Sequence, residues 1–82
     1  MIIVFMNSQI DWNEVIKKEA RGLDDDNDLG EIKDVLENEV VTQVGILATE
    51  IYHIPKSLAL EFDGDTLWFK ISKDEANSKY KV

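Results

Sequence analysis

Two short alternating runs, Leu58/Leu60/Phe62 and Leu67/Phe69/Ile71, flank the pair Asp63-Gly64. A period of two puts one face of each run in a core, and an Asp-Gly pair between such runs suits a type I′ hairpin turn. Upstream, residues 49–54 read as a strand that stops or turns at Pro55, which has no amide N–H to give to a ladder. Residues 40–44 are a β-branched run closed by Gly45. Ile32 and Val35 are three apart, which breaks the period of two and predicts a bulge near Lys33-Asp34 in a strand over 31–37. Between these strands, Asp24, Asp25, Asp26, Asn27 and Asp28 form a hydrophilic turn, and Glu37-Asn38-Glu39 forms a second.

The ends of the chain carry helix signals. Asp11 and Glu14 make an Asp version of the capping box, Ile10 can staple against Val15, and Trp12, Val15 and Ile16 share one face. This stretch fits one helical turn followed by a strand over 18–21. It also fits a continuous helix over 11–21, since it is rich in helix formers. Ser72-Lys73-Asp74-Glu75 is a capping box that starts a short helix reaching about Tyr80.

At 82 residues the chain is one domain with a small core. Residues 11–82 form it, and residues 1–10 are an N-terminal segment that is an edge strand, an interface or an extension. Residues 1–6 are apolar but lack a basic flank and fall far short of the roughly 20 residues that span a bilayer, so no membrane span is expected. The absence of cysteine excludes disulfides and thiol chemistry and fits a cytoplasmic location. Seventeen acidic against nine basic residues give a formal charge of −8. Such a field repels phosphate backbones and favours a basic protein, so no direct nucleic-acid binding is expected.

Catalytic, cofactor and metal chemistry find no foothold. Asp24, Asp26 and Asp28 have the alternate spacing of a calcium loop, but Gly30 and Val35 stand where that loop needs other residues, which leaves a solvated turn. His53, with Glu50 and Ser57 nearby, straddles Pro55 from the hydroxyl and lacks a nucleophile elbow; it reads as a surface or half-buried strand residue. Trp68 is the more informative side chain. With Leu67, Phe69 and Ile71 inward, Thr66, Trp68 and Lys70 face outward as a candidate partner surface. The alternative is that the terminal helix, through Ala76 and Tyr80, folds back over the indole.

Taken together, the order of elements is similar to that of the PRC-barrel family, in its small stand-alone archaeal form. Residues 15–22 match that family's first strand with its closing Gly22. Gly30-Glu31-Ile32-Lys33-Asp34-Val35 matches its second strand, and Ile54-Pro55-Lys56 resembles the element that closes the barrel. One departure is Lys17, where many members carry glycine. The resemblance implies an all-β fold: a half-open barrel of about six strands, with a short N-terminal helical turn and a short C-terminal helix. Gly22, Gly30 and Gly64 then mark tight turns or coiling where a Cβ would clash. It further implies a non-catalytic protein-interaction or adaptor module without cofactors, self-associating as a homo-oligomer through an uncapped edge. Relatives of this kind point first to archaeal cell division or another cytoplasmic scaffold. The second direction is ribosome maturation or RNA metabolism, through binding of a basic ribosomal protein.

Overall fold

The computed structural model describes residues 10–24 and 27–82. Six strands make one mixed sheet: β1 (Glu19–Arg21), β2 (Asp28–Val35), β3 (Glu39–Val44), β4 (Glu50–Pro55), β5 (Ala59–Phe62) and β6 (Thr66–Phe69). Their spatial order is β4-β3-β2-β1-β6-β5. All neighbours are antiparallel except β1 and β6, which run parallel and join the two hairpin halves. The sheet does not close on itself. Its two edge strands, β4 and β5, are nonetheless consecutive in the chain, linked by a single 3-10 turn at Lys56–Leu58.

The bulge expected in β2 forms. Ile32 pairs with Thr42 and Val35 with Val40, and the register slips between Ile32 and Asp34. One extra residue therefore lets two apolar side chains three apart face the same side. The strand itself spans Asp28–Val35 instead of 31–37, so the acidic stretch is already in the sheet by Asp28. Asn27, read from sequence as part of a solvated turn, is fully buried, and its Nδ2 donates to Ile71 O at 3.3 Å.

At the N-terminus the chain makes tight turns and then β1, not a continuous helix over 11–21. Asp11 Oδ1 accepts the amide of Asn13 at 3.0 Å. Ile10 and Val15 are both buried in the core, so the core begins one residue before the boundary placed at 11. The expected roles of residues 1–9 lie outside the described residues.

Inside the sheet, Leu67, Phe69 and Ile71 are buried as the alternation requires. The partner run is different. Leu58, Leu60 and Phe62 do not share one face, because β5 slips register between Ala59 and Glu61 and turns Ala59 inward opposite Phe69. The C-terminal helix begins as drawn from sequence: Ser72 Oγ accepts the amide of Glu75 at 3.1 Å. It runs as an α-turn at Lys73–Glu75 and continues as a π-turn at Ala76–Tyr80. It packs on β4, where the fully buried Tyr52 donates to Glu50 Oε1 at 3.2 Å and meets Asn77. Burial and the Glu50 carboxylate push the Tyr52 phenol up to about 12. Beyond the helix, Val82 donates to Ile51 O at 2.8 Å, so the chain end lies along the outer edge of β4.

Candidate interaction surface

Trp68 lies on the outer face, in a row formed by register: Arg21 of β1 on one side and Glu61 of β5 on the other. Its indole is half-buried, and it is not among the side chains packed on the core. The terminal helix packs on β4, two strands beyond the middle of the sheet, and does not supply the cover proposed as an alternative. Instead the indole N–H donates to Asp63 Oδ2 at 3.2 Å.

Of the two outward companions of Trp68, the structure keeps one. Lys70 is exposed. Thr66 is only 8% exposed, because β1 pairs beside it and Glu19 lies over it, with Thr66 Oγ1 donating to Glu19 Oε1 at 3.4 Å. Thr66 therefore belongs to the join between β1 and β6 and leaves the candidate surface.

The turn below Trp68 differs from the type I′ expectation. Asp63 and Thr66 form its ends, since the Asp63 amide donates to Thr66 O at 3.1 Å. Gly64 is thus the first central residue, not the second, and carries φ 102°. Asp63 Oδ1 accepts the amides of Asp65 and Thr66 at 2.9 and 2.8 Å, so a carboxylate replaces the backbone carbonyl that usually closes such a turn. These two amides, and then the Trp68 indole, hold the Asp63 carboxyl below its ordinary value.

The largest apolar exposure is elsewhere. After Val44 pairs with Glu50, the β3–β4 tip is Gly45-Ile46-Leu47-Ala48-Thr49, in which Ile46 is 92% and Leu47 99% exposed. Sequence reasoning closed the strand at Gly45 and passed over these residues. The available signal was an uncharged turn with two large aliphatic residues in a chain of 32% charged residues. Below this tip an open groove of about 360 Å³ runs between Lys17-Lys18 and Ile46, floored by Gly30.

Other candidate residues separate. His53 Nδ1 lies 3.2 Å from Glu39 Oε1 on the neighbouring strand. Glu50 instead pairs with Lys81 at 3.1 Å and with Tyr52, so it is committed away from His53. Ser57 lies exposed in the 3-10 turn. Among the described residues, no three His, Asp or Glu side chains converge as metal ligands, and no helix is long and apolar enough to cross a membrane. Of the acidic stretch, Asp25 and Asp26 lie outside the described residues. Comparison with protein-family models, with curated proteins and with solved structures gives no match to this chain.

Proposed function

We propose that this chain is a non-catalytic protein-interaction module of the PRC-barrel type, with its sheet curled into a half-open barrel. The consecutive order of the two edge strands supports the curl, because a three-residue link must bring one end of each edge together. The observation that carries the functional reading is the β3–β4 tip. Two large aliphatic side chains more than nine-tenths exposed cost solvation in a small domain and gain it back only against another surface. Self-association through β5, whose outer edge has no strand beside it among the described residues, belongs to the same reading. The setting that fits is a cytoplasmic scaffold, such as an archaeal cell-division assembly. A second reading, binding a basic ribosomal protein during ribosome maturation, is favoured by the net charge of −8.

The double variant Ile46→Ser/Leu47→Ser tests the tip. Association, followed by sedimentation of the purified chain and by its recovery of a defined partner, should fall while the melting temperature stays within a few degrees. Undiminished association with the tip made polar would reject the reading.

A further inference from the structure

We propose that the groove between Lys17-Lys18 and the β3–β4 tip docks an acidic segment of a protein partner that carries apolar residues beside its carboxylates. This deepens, and rests on, the interaction-module reading above.

The charge around the groove runs against that of the whole chain. Each acid of its lining has a cation beside it. Glu19 is held by Arg21 at 2.7 Å and Glu31 by Lys33 at 2.9 Å. Lys73 reaches the backbone carbonyl of Asp28, whose Oδ1 is occupied by the Gly30 amide at 2.8 Å. Lys17 and Lys18 have no ion-pair partner among the described residues. Two unpaired ammonium groups thus stand on one wall, and the exposed Ile46 stands on the other. A ligand that satisfies both walls has a carboxylate and an aliphatic group.

The lysine wall is also fixed in place. Lys17 has φ 73°, a left-handed conformation that an L-residue holds only when its surroundings impose it. The imposition is visible on both sides: the Lys17 amide donates to Ile32 O at 2.7 Å, and the Ile32 amide donates to Lys18 O at 2.9 Å. Strained residues of this kind concentrate at ligand clamps. The floor is bare main chain at Gly30, where a Cβ would fall 2.3 Å from Gln43 O. At about 360 Å³, the groove lies at the small end of the roughly 300–1,000 Å³ typical of ligand-sized clefts, which suits a few residues of extended chain.

Screening decides between a short acidic segment and a nucleic acid. At physiological salt the Debye length is about 8 Å, so a segment seated in the groove senses mainly the two nearby lysines. A long polyanion also lies against the rest of a chain with charge −8, which repels it.

The test uses the full chain and two fluorescein-labelled pentapeptides, one alternating leucine with glutamate and one alternating leucine with lysine. Fluorescence anisotropy should show saturable binding of the glutamate peptide, weakened by added salt. The variant Lys17→Gly/Lys18→Gln removes both charges while giving residue 17 a side chain suited to its φ, and it should weaken that binding about tenfold, the product of two modest charge contacts. Should the double variant fail to fold, the single variants are read instead, each with a severalfold loss expected. Equal or tighter binding of the lysine peptide, binding unaffected by these variants, or no binding at all overturns the proposal. Lost partner recovery in Ile46→Ser/Leu47→Ser beside an unresponsive glutamate peptide rejects the groove alone and leaves the module reading standing.

Discussion

The Trp68 indole donates to Asp63 Oδ2 at 3.2 Å, while Oδ1 of the same carboxylate takes the amides of Asp65 and Thr66. One ionised side chain therefore both shapes the β5–β6 turn and holds the aromatic ring above it. The bonds go to the charged form, which is why the carboxyl titrates below its ordinary value. A group with a depressed folded value contributes stability above its unfolded value, about 3.9, and loses that contribution as pH falls through the folded value. Trp68 emission, recorded in a Trp12→Phe background, should stay constant through pH 5 and change only below the ordinary carboxylate range. Asp63→Asn should abolish that acid transition, since an amide has no proton to gain there. A transition centred at or above the ordinary value, or one that survives in Asp63→Asn, would assign the tether to another group.

Trp68→Ala separates a surface role from a core role. A fully buried tryptophan costs about 3–5 kcal/mol on truncation. Trp68 is half-buried and lies outside the core cluster, so thermal unfolding should show a loss well below that range. Association, if it runs through this face with Lys70, should weaken by about 2 kcal/mol. Intact association with strongly lowered stability would assign the ring to the fold.

Glycine substitutions should rank by mechanism. Gly64 has open space around its missing Cβ, so Gly64→Val is opposed only by φ 102° and should cost about 1–3 kcal/mol. Gly30 combines φ 95° with a clash against the Gln43 carbonyl at 2.3 Å. Even Gly30→Ala must spread β2 from β3, with a loss on the order of 3 kcal/mol or more, a large part of a small domain's stability. Urea unfolding of the pair checks the order, and a Gly64 variant less stable than the Gly30 one would contradict it.

Legibility from sequence followed how local the cause was. The spacing of Ile32 and Val35 announced its bulge, and Ser72 with Glu75 announced the helix start, because each depends on neighbours within a few positions. The Asp63-Gly64 hairpin was visible, but its phase was one residue off: the Asp63 carboxylate took the role of a backbone carbonyl, which a turn rule based on φ preferences does not weigh. Thr66 was misplaced for a non-local reason. Its outward face is covered by Glu19, 47 residues away, through the parallel pairing of β1 with β6. Asn27 shows the same effect in the opposite sense, a polar residue in an acidic string drawn inside by the Ile71 carbonyl. Ile46 and Leu47 were missed because aliphatic residues next to a strand are ordinarily counted towards the core.

Lys17 offers the last test, and it turns on backbone strain alone. A left-handed φ costs an L-residue roughly 1–2 kcal/mol, while glycine gives up about 0.5–1 kcal/mol of unfolded-state freedom. At φ 73° the first term is the larger, so Lys17→Gly should stabilise the chain by up to about 1 kcal/mol. For a domain of this size that is a rise in Tm of roughly 4–8 °C at most. Lys17→Val should move the other way, since a β-branched side chain tolerates this region worst. Glycine also belongs at this position in the family the sequence resembles, where the same turn needs no strain. If Lys17→Gly lowers Tm, the lysine side chain must contribute more by its contacts than its backbone costs, and the strained-clamp account of the groove wall loses its basis.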